Sequence, residues 1–245
     1  MNMNTRNAGT LRILDNPATL AQALADLFIE TGKDAIAKRG VFHVSLAGGT
    51  TPKAAYTLLG DPELKDSLDW SKVHIWFGDE RCVPPDSDQS NYKMARDAFL
   101  DAVAIPTWQV HRIRGEEDPA KAAEWCRDGL VATFGNQPHL DLVMLGMGPD
   151  GHTASLFPGE DPMTDSRNLV RAVYSESQQQ WRVTFTPDVL NNGRIVVFAV
   201  EGPSKAKTLA DVREGPYDPT KYPSQIIAPE NGELIWLVDK AAAGK

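Results

Sequence analysis

Short apolar runs alternate, from one end of the chain to the other, with longer segments whose apolar residues recur every three or four positions. Residues 11–14, 41–47, 73–77, 109–113, 142–145, 169–174, 182–186, 194–200 and 234–238 read as strands from their length, apolar content and flanking turn residues. Residues 17–38 place Leu20, Leu24, Leu27, Phe28 and Ile36 on one helical face, and Gly40 ends the pattern. Residues 91–100, 119–134 and 204–212 read as further helices, and Pro52 suits the first turn of a helix after 41–47. Such alternation predicts an α/β fold: a mainly parallel central sheet with helices on both faces, Rossmann-like, with length enough for a small subsidiary lobe. No repeat, low-complexity tract or clear linker divides the chain, so residues 1–245 are expected to form one α/β domain. Residues 158–167 and 214–223 are the longest expected loops, and each is a candidate lid.

The run at 142–145 stops in Gly146, Gly148 and Gly151, where Asp150 and His152 appear together. In open α/β sheets ligands bind beyond the carboxyl ends of the strands, so this loop is expected to be a reaction centre. Its spacing also matches the G-x-G-x-x-G dinucleotide fingerprint. That fingerprint needs bare N–H groups for a pyrophosphate, whereas Pro149 and the anionic Asp150 lie inside this loop. Pro158 cuts the following helix short, and position 171 is Arg rather than the ribose-binding acid, so no nucleotide cofactor is expected.

Among five histidines, His43, His74, His111 and His139 lie in or beside expected strands and read as structural. His152 has a natural role as general base for water, a gain of ~10²–10⁴ in rate, with Asp150 or another carboxylate such as Asp79 orienting its ring. Gly48, Gly49 and Thr50 form either a phosphate cradle at a helix start or a plain strand-to-helix turn with Thr51 as the cap. Gly78-Asp79-Glu80-Arg81 is either a solvated loop or an electrostatic clamp, in which Asp79 holds substrate hydroxyls and Arg81 meets an oxyanion. Lys205, just inside a helix, is either a surface lysine or a phosphate partner. Arg182, at the start of 182–186, is a second cation for the same pocket.

Hydrophobic residues make up 42% and charged residues 24% of the 245, with a net charge of −8. That acidity argues against nucleic acid or an anionic membrane as a partner, and an anionic small substrate would need a local basic pocket. Cys82 and Cys126 make neither a disulfide framework nor a zinc site. No second histidine or cysteine is spaced to share a metal with His152. The start of the chain lacks an apolar signal core and no run reaches the ~18 residues of a membrane span, so a cytoplasmic protein is expected. Monomer and small homo-oligomer both remain open.

Six segments together resemble the 6-phosphogluconolactonase family, which shares its fold with the glucosamine-6-phosphate deaminases. They are LAGGTTPKAAY (46–56), WFGDERCVPPDSDQSNYKMAR (76–96), DLVMLGMGPDGHTASLFPG (141–159), RVTFTPDVLNN (182–192), VEGPSKAKTL (200–209) and YPSQIIAPENGELIWLVDKAAA (222–243). The resemblance implies hydrolysis of 6-phosphoglucono-1,5-lactone in the oxidative pentose phosphate pathway, without metal or cofactor. It puts the base on His152, the clamp arginine on Arg81, and phosphate contacts on Gly48, Gly49, Thr50, Lys205 and Arg182. The related deaminases carry a glutamate where this chain has Phe157, which cannot transfer a proton. Residues 178–181 (QQQW) depart from the proline- and histidine-bearing run expected before Arg182. Two rival functions follow from the same pocket, a non-catalytic phosphosugar sensor and a sugar-phosphate isomerase.

Overall fold

A computed structural model describes residues 8–161 and 168–245. In chain order its strands are β1 (Thr10–Leu14), β2 (Phe42–Leu46), β3 (Val73–Phe77), β4 (Asp79–Arg81), β5 (Val110–His111), β6 (Leu142–Gly146), β7 (Val170–Ser175), β8 (Gln180–Phe185), β9 (Ile195–Val200) and β10 (Glu233–Asp239). The helices are α1 (Pro17–Arg39), α2 (Thr50–Gly60), α3 (Asn91–Ala95), α4 (Pro119–Phe134), α5 (Pro187–Asn191) and α6 (Ala206–Glu214). Seven strands make a parallel sheet in the order β1-β10-β9-β6-β2-β3-β5. Its inner strands are covered on both faces, which is why β6 and β9 read as unbroken apolar runs.

Strand order fixes where a ligand fits. From β2 the chain moves outward to β3 and β5, whereas from β6 it moves the other way to β9. The connections after neighbouring β2 and β6 therefore diverge, and a crevice opens between the carboxyl ends of these strands. Gly146 faces the carbonyl of Gly48 across it.

The strand at Asp79–Arg81 was not expected from the sequence. At Gly78 the chain leaves the parallel sheet and pairs antiparallel with β8, which pairs with β7, giving a three-stranded second sheet. Gly78 is bonded to both sheets: its N–H donates to Leu46 O, and its carbonyl accepts from Phe185 N–H. One hydrophobic core runs beneath both, from Phe42 and Val44 to Val183 and Phe185.

Several boundaries differ from expectation for local reasons. Helix 91–100 is α3 followed by one π turn, Arg96–Leu100. The strand expected over 109–113 shrinks to two residues, because Thr107–Gln109 forms a 3₁₀ turn. The segment at 214–223 is not a free loop: Gln225 donates to Asp211 O, Val212 O and Pro216 O, and its carbonyl oxygen accepts from Asp218 N–H. Of the other candidate lid, residues 162–167 lie outside the described residues, as does the start of the chain.

The four histidines read as structural are packed as such. His43 opposes His74 in the β2–β3 ladder, and His74 Nδ1 lies 3.0 Å from His111 Nε2. Burial lowers His43 to about 3 and His111 to about 4, so both stay neutral near pH 7. His139 bonds Asn192 at the opposite end of the sheet from the crevice.

Candidate active site

Every residue picked from the sequence except Asp150 lines one cavity of about 430 Å³ at the β2–β6 crevice: Gly48, Gly49, Thr50, Asp79, Arg81, His152, Arg182 and Lys205. Asp150 stands behind His152 rather than in the wall. Its Oδ1 lies 2.6 Å from His152 Nδ1 and also accepts from the His152 backbone N–H at 3.2 Å. Residues two apart meet here because the chain turns back at Gly151, whose N–H donates to Gly148 O while Gly148 N–H donates to His152 O. A carboxylate on Nδ1 keeps the proton there and leaves Nε2 as the basic nitrogen. Burial pushes the Asp150 carboxyl up, but hydrogen bonds and charge from His152 outweigh it and hold the group below the usual range. Of the two carboxylates left open by the sequence, it is Asp150 that bonds the His152 ring, while Asp79 bonds Ser155 and Asn91.

Gly148 is part of the same construction. A Cβ there would lie 2.1 Å from His152 Nδ1 and 2.4 Å from Asp150 Oδ1, so only glycine leaves the pair room to form. Beyond His152 the loop is held by its own side chains. Thr153 Oγ1 donates to Gly146 O at 2.8 Å, and Ser155 Oγ donates to Asp79 Oδ2 at 2.7 Å. Between them Ala154 has a φ of 46°, a left-handed conformation that costs about 1 kcal/mol outside glycine.

Asp79-Glu80-Arg81 is not a solvated loop: it is a strand, and successive side chains point to opposite faces. Asp79 and Arg81 face the cavity. Glu80 points away and is buried, accepting from Asn91 N–H and Tyr92 N–H at 2.8 Å each and from Ser90 Oγ at 3.0 Å. It thus satisfies the first N–H groups of α3. Burial raises the Glu80 carboxyl despite these bonds. Asn91, fixed in this way, donates through Nδ2 to Asp79 O at 2.9 Å. Asn91 in turn needs Gly48 opposite, where a Cβ would lie 2.1 Å from Asn91 Oδ1.

Arg182 is the third residue of β8, not its first, and stands directly opposite Arg81 in the β4–β8 ladder. Opposed residues share a face, so the two guanidinium groups form one wall. Arg81 Nη1 donates to Gln89 O at 2.6 Å. Arg182 donates through Nη2 to Gln178 Oε1, and its Nη1 is 3.9 Å from Asp79 Oδ2. Burial loosens the Arg182 proton, and the neighbouring Asp79 charge opposes that.

The third cation comes from the far side. Lys205 ends a 3₁₀ turn, Pro203–Lys205, and immediately precedes α6 instead of lying within it. Burial lowers the pKa of its amine, partly offset by Asp150. The turn after β2 likewise differs in detail: the helix starts at Thr50, and its cap is Gly49 rather than Thr51, with no side chain bonded to the first N–H groups. Those donors and the positive end of the α2 dipole open into the cavity. Thr50 Oγ1 lies 3.5 Å from Glu201 Oε1, which also lines it.

Sequence reasoning missed Asn91, Ser155 and Gln178. Ser155 had a visible signal in its place three residues after His152. Asn91 had none, because it reaches the cavity by bonding β4 from the start of α3, and Gln178 showed only as part of the 178–181 stretch. Among the described residues, no group of three or more His, Cys, Asp or Glu side chains is placed to hold a metal ion. No described helix is long and apolar enough to cross a membrane.

The parallel sheet, the crevice at its carboxyl edge and the carboxylate–imidazole pair facing clustered cations form a site suited to an anionic ligand. Residues 15–236 match the family described as glucosamine-6-phosphate isomerases/6-phosphogluconolactonase, and the chain belongs to that family. It is 41% identical over 213 residues to the 6-phosphogluconolactonase of Synechocystis, covering 85% of this chain and 86% of that one. It is 37% identical to the Nostoc 6-phosphogluconolactonase, covering 96% and 98%. The 6-phosphogluconolactonase structure from Trypanosoma cruzi superposes with a TM-score of 0.87 at 26% identity, covering 100% and 99% of the two chains. A monomeric glucosamine-6-phosphate deaminase at 18% identity shares the fold, with a TM-score of 0.82. These relatives place the chain among the family's enzymes, on its lactone-hydrolase side.

Proposed function

We propose that this chain hydrolyses 6-phospho-D-glucono-1,5-lactone to 6-phospho-D-gluconate in the oxidative pentose phosphate pathway, in the cytoplasm, with His152 as general base. The observation that carries this reading is the Asp150–His152 pair set in a cavity with Arg81, Arg182 and Lys205. His152 Nε2 takes a proton from water, and the water oxygen attacks the lactone carbonyl. The ring C–O bond then breaks, and the imidazolium returns its proton to the departing ring oxygen. Arg81 meets the negative charge that develops on the carbonyl oxygen. Arg182, Lys205, Thr50 and the free N–H groups at Gly48 and Gly49 hold the phosphate, which positions the far end of the sugar. A lactone is an activated ester, so no covalent nucleophile is required.

Phe157 favours hydrolysis over isomerisation. Its ring lies 5.2 Å from that of His152, so an inert side chain occupies the space where ring opening would need another acid.

The test is hydrolysis of freshly generated lactone with and without its 6-phosphate, after subtracting spontaneous opening. Arg81→Ala is expected to lower kcat by ~10²–10³ on both substrates, as loss of an oxyanion donor does. A loss confined to the phosphorylated substrate would move Arg81 to the phosphate site beside Arg182. No turnover of either substrate by the wild type would sink the assignment.

The amine of Lys205, held below the ordinary lysine range, makes a second expectation. Phosphate binding needs the charged form, so affinity for 6-phosphogluconate falls as pH rises, starting at lower pH than for an exposed lysine. Calorimetric titration across alkaline pH should show that fall in the wild type, and Lys205→Arg should remove it.

A further inference from the structure

We infer that Gln178 is a phosphate-selectivity residue: its side-chain amide occupies Arg182 in the empty cavity and hands that guanidinium to the phosphate of an incoming sugar. The inference rests on the reading above, in which Arg182 takes the phosphate.

Gln178 lies on the four-residue turn between β7 and β8, is exposed, and also lines the cavity. From there it accepts a hydrogen bond from Nη2 of Arg182, which is only 5% exposed. Arg182 has few other acceptors. Its Nη1 is 3.9 Å from Asp79 Oδ2, and its Nε has no hydrogen-bond partner among the described residues. Asp79 is already committed to Ser155 and Asn91. A buried guanidinium without an acceptor is costly, and the Gln178 carbonyl removes part of that cost.

An amide is nevertheless a weak holder. It is neutral, whereas a phosphate oxygen makes a charge-assisted bond roughly twice as strong. Exchange of one for the other is therefore downhill only for an anionic ligand. The turn also keeps its shape without Gln178. Gln179, at a φ of 50°, donates to Glu176 O at 2.8 Å and accepts from Tyr174 OH at 3.3 Å. Gln180 donates to Gln89 Oε1 at 2.6 Å and ties the hairpin to the segment that holds Arg81. Gln178 can thus swing away while its neighbours stay fixed.

The experiment compares Gln178→Glu and Gln178→Ala on lactone with and without the 6-phosphate. A carboxylate at 178 would pair with Arg182 and repel the phosphate, raising KM for the phosphorylated lactone by about tenfold while kcat stays within about threefold. The alanine variant should lower that KM, and KM for the unphosphorylated lactone should not move with either substitution. Equal effects of Glu on both lactones, or an alanine variant as impaired as the glutamate one, would overturn the proposal. Calorimetry with inorganic phosphate supplies an arm independent of turnover: affinity should fall in Gln178→Glu and rise in Gln178→Ala. If the wild type hydrolyses no lactone but this order holds, the catalytic reading fails and the placeholder stands.

Discussion

Replacing His152 with alanine is expected to lower kcat by ~10²–10⁴, the usual worth of a positioned general base, with little change in affinity for 6-phosphogluconate. The side chain is a quarter exposed, and among the described residues its ring hydrogen-bonds only Asp150, so its loss is expected to leave the fold intact. The phosphate contacts proposed above, Arg182, Lys205 and the start of α2, do not depend on the imidazole. Stopped-flow acidification assays, corrected for spontaneous opening, give kcat, and calorimetry gives the product affinity. A variant that turns over at the wild-type rate would remove His152 from the chemistry.

Gly148→Ala should come close to the same loss without touching any group that reacts. The added methyl would overlap His152 Nδ1, His152 Cε1 and Asp150 Oδ1, all within 2.4 Å. Something must move, and the two side chains are the movable parts, since both are partly exposed. Separating them frees the ring to rotate and take the wrong tautomer. We expect kcat to fall by ~10² or more, with melting temperature and product affinity near wild type. The double variant Gly148→Ala/His152→Ala should be no slower than His152→Ala alone, because both substitutions remove one function. Additive losses would mean that Gly148 acts through something other than the pair.

Much of this was legible in the sequence, for identifiable reasons. Parallel strands buried on both faces leave unbroken apolar runs, so β2, β3, β6, β9 and β10 were found to within a residue or two. Asp150 and His152 stood out because glycines surround them at the end of such a run. The second sheet was hidden. A three-residue strand such as β4 has too few positions to show a period, and its pairing with β8, 101 to 105 residues further along the chain, is a tertiary event. For that reason Glu80 could not be told from Asp79 and Arg81, although alternation along β4 gives it a different task. Arg81 and Arg182 read as serving opposite ends of the substrate, yet the ladder sets them side by side. The role of Gln178 was invisible because it depends on a turn folding back over Arg182.

Gly78 joins the two sheets that wall the cavity. The Asp150–His152 pair follows β6 of the parallel sheet, whereas Arg81 and Arg182 lie on a small antiparallel leaf tied to it through Gly78, through Ser155 and through the core beneath both. The distance from His152 to Arg81 and Arg182 is therefore set by how the leaf sits against the parallel sheet, whereas Lys205 and the start of α2 belong to the parallel sheet's own connections. Substitutions in the β7–β8 hairpin are thus expected to act on the two arginines before they reach the Asp150–His152 pair.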